Sequence, residues 1–159
     1  MIIREAKAQD IPILVKIIQK TFQEFNFIFN ANDELPDFIG FNAFYRNSER
    51  RLFVLEHPQG IAGCGAVQVK DGRGILTRIY LDRPFRGRGY GKMMVKHLIG
   101  VSRQAGASEV CLWTDTRFTV AHNLYASTGF NRTEKLRPLN DVNDSYEIYY
   151  EMKLNDRDG

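Results

Sequence analysis

Leu81-Asp82-Arg83-Pro84-Phe85-Arg86-Gly87-Arg88-Gly89-Tyr90-Gly91-Lys92 is the stretch on which the reading of this chain turns. Upstream of it, Gly74–Leu81 follows the hairpin signal Asp71-Gly72 and predicts a returning strand. Downstream, Met94, Leu98, Val101 and Ala105 recur at helical spacing, and Val95 and Ile99 widen the stripe. A helix over Gly89–Ala105, stopped by Gly106, is the expectation. Between strand and helix, three alternate glycines remove side chains where the chain turns, so backbone N–H groups can approach an anion closely. Arg83, Arg86, Arg88 and Lys92 add positive charge at the same place. Such a corner suits a pyrophosphate. The nucleotide loops do not fit: a Walker A loop would need one more residue and a Ser or Thr where Met93 stands, and the dinucleotide fingerprint G-x-G-x-x-G is here G-x-G-x-G. The competing reading is a basic surface turn whose glycines only cap two elements.

Outward from this corner the chain alternates strands and helices. Ile2–Ala6 predicts a first strand; Asp10 offers an N-cap, Pro12 fits a first turn, and Ile11, Leu14, Val15, Ile18 and Phe22 mark an amphipathic helix. Residues 22–45 hold seven of the eleven phenylalanines, and spacing predicts a second helix over about 33–47. Arg51–His57, Ile61–Lys70 and Gly74–Leu81 read as successive strands. Glu109–Asp115 reads as a strand, Phe118–Ser127 as a helix capped by Gly129, and Phe130–Lys135 and Ser145–Leu154 as two last strands. The order β-α-α-β-β-β-α-β-α-β-β implies a mixed sheet with helices packed on it, an α/β or α+β domain.

Composition excludes several classes. A length of 159 residues predicts one domain spanning 1–159, and 43% hydrophobic with 26% charged residues is ordinary for a globular chain. A net charge of +3 does not by itself call for nucleic acid. No apolar run approaches the ~18–20 residues of a membrane helix, and Glu5 stands where a secretory leader would carry no acid. Cys64 and Cys111 lie in apolar strand surroundings without a C-x-x-C pair, which predicts buried thiols in a reducing compartment. His57, His97 and His122 have no metal-ligand spacing. A cytoplasmic protein without metal or membrane contact is the expectation.

Two segments carry a resemblance. Arg86-Gly87-Arg88-Gly89-Tyr90-Gly91 is similar to the R/Q-x-x-G-x-G/A signature of the GNAT superfamily of N-acetyltransferases. Ala121-His122-Asn123-Leu124-Tyr125-Ala126-Ser127-Thr128-Gly129-Phe130 resembles the A-x-x-L-Y-x-x-x-G-F segment of the same family. The two occur in the family's order with a strand between them. The resemblance implies a mostly antiparallel sheet of six to seven strands flanked by about four helices, with acetyl-CoA as acyl donor and no metal. It assigns the pyrophosphate to Arg86, Gly87, Arg88, Gly89, Tyr90 and Gly91, with Lys92 as an added cation. The pantetheine arm then falls to the backbone of Ile79, Tyr80 and Leu81, and Asn123 can hydrogen-bond that arm or a phosphate. Splaying of this strand from the next, around Val110–Thr114, would make the acetyl slot.

Transfer from a thioester to an amine needs a neutral amine, an oriented carbonyl, donors for the oxyanion and a proton for the leaving thiolate. Tyr125 matches the family's position for that acid; without the motif it would read as a core tyrosine with a satisfied hydroxyl. For a base, Gly74-Ile75-Leu76-Thr77 supplies no glutamate. Asp115 could act through water or could cap the helix near Phe118, Glu134 is a weaker candidate, and solvent can take the proton instead. The aromatic residues of 22–45 sit where this family builds its acceptor pocket, with Glu24, Asp33, Glu34 and Asp37 able to attract an ammonium. The competing expectation is that most of them, with Trp113 and Cys111, pack the core. No cysteine has a histidine partner, which favours direct transfer over an acetyl-enzyme. The acceptor is then a small-molecule or peptide amine, and a homodimer stays open. Two rival functions remain: an RNA-binding module using the Arg/Gly turn with Phe85 and Tyr90, and a CoA-binding sensor of the same fold without catalysis.

Overall fold

Alternation along the strands sorts the apolar side chains of this chain onto two faces of one sheet. In the computed structural model, which describes residues 1–45 and 49–154, Leu52 and Val54 face one buried cluster while Phe53 and Leu55 face another. The strands are β1 (Ile2–Glu5), β2 (Arg50–His57), β3 (Gly60–Lys70), β4 (Arg73–Leu81), β5 (Glu109–Asp115), β6 (Asn131–Pro138) and β7 (Tyr146–Lys153). They form one seven-stranded sheet in the order β1-β2-β3-β4-β5-β7-β6, antiparallel throughout except for the parallel pair β4 and β5. Helices α5 (Tyr90–Gln104) and α6 (Thr119–Ser127) contribute to the cluster on one face, with Met94, Leu98 and Tyr125 inside it. Helix α1 (Ile11–Glu24) covers the other face through Leu14, Ile17, Ile18 and Phe22. No helix among the described residues is long and apolar enough to cross a membrane.

The expected helix over 33–47 is instead three single turns, α2 (Ala31–Glu34), α3 (Pro36–Ile39) and α4 (Phe41–Phe44); positions 46 and 47 of that expectation lie outside the described residues. The reason is local. Pro36 cannot continue a helix begun before it and pushes Leu35 out of helical geometry, and Gly40 breaks the chain again. Asp10 also departs from its expected role. It precedes α1 but makes no side-chain cap there; its carboxylate accepts from the Lys7 N–H at 2.7 Å and from two Arg4 nitrogens at 2.8 and 3.0 Å. A buried carboxylate takes charged donors before a cap. The hairpin is as expected: Asp71 and Gly72 both have positive φ and join Lys70 to Arg73.

Two irregularities in β4 shape the molecule's centre. Tyr80 pairs with Cys64 and Thr77 with Ala66, so Arg78 and Ile79 together face Gly65 in a bulge. Arg78 sits there at φ 54°, a conformation costing about 1–3 kcal/mol that the surrounding contacts must hold. Second, the parallel pairing of β4 with β5 stops after Ile75 and Cys111. Beyond that point the strands diverge, and the edge of β4 facing β5 has no strand partner.

Candidate active site

Gly89 is the N-cap of helix α5 and is held at φ 85°, two residues after Gly87 at φ 76°. A Cβ at either glycine would meet nothing within 4 Å, so the corner opens outward. The amides of Gly87, Arg88, Gly89, Tyr90, Gly91 and Lys92 donate to no acceptor among the described residues, whereas Met93 already bonds the Gly89 carbonyl at 3.1 Å. Six consecutive free donors at a helix N-terminus make an anion cradle. The exposed side chains of Arg88 and Lys92 flank it without partners among the described residues. Arg86 differs from the sequence expectation. Its amide bonds the Arg83 carbonyl, and its guanidinium turns back to the Leu81 carbonyl at 2.8 Å and to Glu24 at 2.7 Å. Arg86 therefore fastens the corner to β4 and α1, and the cradle starts at Gly87.

Where β4 and β5 part, a cleft of about 700 Å³ opens. Ile79 and Tyr80 line it from β4, Trp113 and Thr114 from β5, and Ala121 and Tyr125 from α6. Leu81 is half-buried at the end of β4, and Asn123 is exposed on α6 away from the cleft wall. Tyr125 is 6% exposed, its ring packing edge-on against Phe130 and Tyr150. Its hydroxyl has no hydrogen-bond partner among the described residues, unlike a satisfied core tyrosine. Burial pushes its pKa well above the usual 10, so it carries its proton at neutral pH. Tyr80 is likewise pushed up to about 12 by burial.

Asp115 is not a free base. Both of its oxygens are taken by the Arg117 guanidinium at 2.9 and 2.8 Å, and the Arg117 N–H adds a third bond at 2.9 Å. Nor does its side chain cap α6, whose N-cap is Phe118 without a side-chain bond; Asp115 lies in the turn before that helix and spends its carboxylate on Arg117. Glu134 is exposed on β6 outside the cleft wall. Cys64 and Cys111 are buried and line no part of the cleft; the Cys64 thiol donates to the Arg78 carbonyl, and burial pushes its pKa up to about 12. Trp113 is half-buried in the wall rather than in the core, beneath the Arg137 guanidinium at 4.2 Å. Phe22 and Phe38 pack the core, while Phe27 and Phe44 face the cleft, so the aromatic segment serves both roles.

Sequence reading missed the network above the bulge. Arg78 donates to the two Asp37 oxygens at 3.2 and 2.8 Å and to the Glu34 carbonyl at 3.0 Å, and the Tyr45 hydroxyl donates to Asp37 at 2.6 Å. Burial works against the Arg78 charge, but the bonds to Asp37 outweigh it and raise its pKa. This ties α2–α4 to the bulge, and all of these residues line the cleft. Its one signal in the sequence is Arg78, a charge in the interior of a strand whose other interior residues are uncharged.

The family model described as Acetyltransferase (GNAT) family matches residues 14–130. The chain belongs to the GNAT acetyltransferase family. Solved GNAT-like structures align along nearly its full length. A GNAT acetyltransferase from Staphylococcus aureus Mu50 superposes with TM-score 0.83 at 20% identity, covering 97% of this chain and 99% of its own. YncA from Salmonella typhimurium, solved with acetyl-CoA, gives 0.75 at 17% identity over 98% and 94%. The PaiA N-acetyltransferase of Thermoplasma acidophilum, solved with coenzyme A, gives 0.76 at 15% identity over 96% and 98%. Among curated proteins no sequence matches this chain significantly. The GNAT sheet, with its diverging β4 and β5, is the scaffold found here.

Proposed function

We propose that this chain is an acetyl-CoA-dependent N-acetyltransferase that moves the acetyl group to a primary amine by direct attack in a ternary complex. One observation carries the reading: six free amides at 87–92 lie at the end of β4, whose unpaired edge leads into the cleft holding the free hydroxyl of Tyr125. Acetyl-CoA, as donor substrate, supplies an activated acyl group. The cradle of Gly87–Lys92 binds its diphosphate, and no side chain at Gly87 or Gly89 obstructs it. The backbone of Ile79–Leu81 lines the pantetheine path, and Asn123, exposed on α6 outside the cleft wall, is free to meet the outer part of the arm or a phosphate. Unpaired β4 N–H groups are the donors that stabilise negative charge on the acetyl oxygen, each such donor being worth about 10²–10³ in rate.

The acceptor enters as an ammonium and loses one proton to solvent. The nitrogen lone pair forms the N–C bond as the C–S bond breaks, and Tyr125 gives its proton to the departing thiolate. A second proton leaves the nitrogen and returns to the Tyr125 oxygen by way of water, so the enzyme ends as it began. A covalent route through a thiol is not open, since both cysteines are buried away from the cleft.

Thermal denaturation with acetyl-CoA followed by thiol release against a panel of amines tests this. Binding at 100 times Kd stabilises by about 2.7 kcal/mol, a readily measured rise in Tm. The reading fails if acetyl-CoA leaves Tm unchanged at millimolar concentration; salt-sensitive RNA binding without CoA binding would then favour the rival use of the turn. Binding without turnover of any amine would mark a sensor.

A further inference from the structure

The loop after α1 and the loop between β6 and β7 are joined directly. The Asn143 side chain accepts from the Ile28 N–H at 2.8 Å and donates to the Ile28 carbonyl at 2.9 Å. These are the two bonds that a paired strand residue would make. Arg117 braces the junction: it donates to the Asn143 carbonyl at 3.0 Å and the Ser145 hydroxyl at 2.8 Å, and its guanidinium lies 3.9 Å from the Phe27 ring centroid. Phe118 packs against Phe25 and Phe27 beneath it. Phe27 on one side of the bridge and Leu139, Asp141 and Ser145 on the other all line the cleft. The bridge therefore joins two loops that both border the cleft.

An extended chain laid between these loops would seek backbone partners, and at Ile28 Asn143 already holds both. A peptide acceptor laid along this rim would have to compete for those bonds, while a compact molecule would not. Charge narrows the choice further. Asp37, Asp115 and Glu147 in the cleft wall are each held by an arginine, Arg78, Arg117 and Arg137. Glu34 and Asp141, also in the wall, form no ion pair among the described residues. They approach from the two bridged sides, near enough that Asp141 adds to the burial already raising the Glu34 pKa. Arg50 also lines the cleft; with Arg78, Arg117 and Arg137 four arginines face five acids, which leaves one net negative charge beside the aromatic faces of Phe27, Phe44 and Trp113.

We propose that the acceptor is a compact cationic amine, with Asn143 as the specificity-determining residue that bars peptide chains and Glu34 facing the substrate's ammonium. This rests on the acetyltransfer reading above and names the substrate class for the same cleft.

The test measures kcat/KM on the full chain by thiol release, with 1,4-diaminobutane and phenethylamine as small amines and a tetra-alanine amide as the peptide. The wild type should favour at least one small amine over the peptide by about 100-fold or more. Asn143→Ala should shrink that preference about tenfold, and Asn143→Asp, which keeps the acceptor and loses the donor, should fall between. Glu34→Gln should raise KM for the diamine about fivefold and leave KM for acetyl-CoA in place. Peptide turnover equal to that of the small amines, or a preference unmoved by Asn143→Ala, overturns the proposal. Acetyl-CoA binding, read separately by Tm, keeps the two readings apart. Binding with no small amine turned over defeats the substrate class alone; absence of binding defeats the acetyltransfer reading beneath it.

Discussion

Replacing Tyr125 with Phe separates chemistry from stability. The ring keeps its edge-on contacts with Phe130 and Tyr150, at centroid distances of 6.1 and 5.9 Å. Because the hydroxyl bonds no described residue, its removal leaves no protein partner stranded. The stability change should stay within about 0.5 kcal/mol, or about 2 °C in Tm for a chain of this size. Catalysis should respond very differently. Loss of a positioned general acid costs about 10²–10⁴ in rate, which corresponds to about 2.7–5.4 kcal/mol in the barrier. Steady-state thiol release at saturating amine should show kcat down at least about 100-fold, with KM for acetyl-CoA within about threefold. A retained kcat would remove Tyr125 from the reaction. A loss of several degrees in Tm would show that the hydroxyl holds the fold.

The pH profile follows from the direction of the Tyr125 shift. A phenol held above its usual pKa of 10 stays protonated as pH rises, so kcat/KM should climb as the amine deprotonates, without an alkaline fall before about pH 10. Two glycine replacements in one element should have opposite effects. Gly89→Ala puts a side chain at φ 85°, which should cost about 1–2 kcal/mol, and its Cβ enters the cradle and weakens acetyl-CoA binding about tenfold. Gly100→Ala, in the interior of α5 with nothing within 4 Å of its Cβ, should stabilise by about 0.5–1 kcal/mol and leave binding unchanged in calorimetry. Asp10→Asn should destabilise by about 2–3 kcal/mol at pH 7 in urea titrations, somewhat less than a fully buried pair because Arg4 keeps 27% exposure. The Arg4 bonds lower the Asp10 pKa in the folded state, so their contribution is complete above the unfolded value of 3.8 and fades as pH falls through the lower folded value. The gap between wild type and variant should therefore close toward pH 2.

Features that depend on neighbours in the chain were legible in advance. The α5 stripe, the Asp71-Gly72 turn and β5 at Glu109–Asp115 follow from side-chain period and turn chemistry within a few residues. Tyr125 and the glycine corner were found through two linear signatures. The helix expected over 33–47 does not form as one piece because Pro36 and Gly40 interrupt the periodicity of the phenylalanines. Asp115 offered two roles in the sequence, and its choice of Arg117 two residues on appears only once the turn closes.

By itself the sequence determined the succession of strands, the α1, α5 and α6 helices and the glycine corner between β4 and α5, because each depends on contacts within a turn or a strand. Tertiary structure alone decided which groups are free. Arg86 is drawn from the cradle by Glu24, 62 residues away in the chain, and Asn143 reaches Ile28 across 115. Arg78 finds Asp37 across 41 through a bulge that no local pattern announces. A hydrogen-bonding group takes whichever partner the fold brings near, and pairings at such separations have no signature in the neighbouring residues.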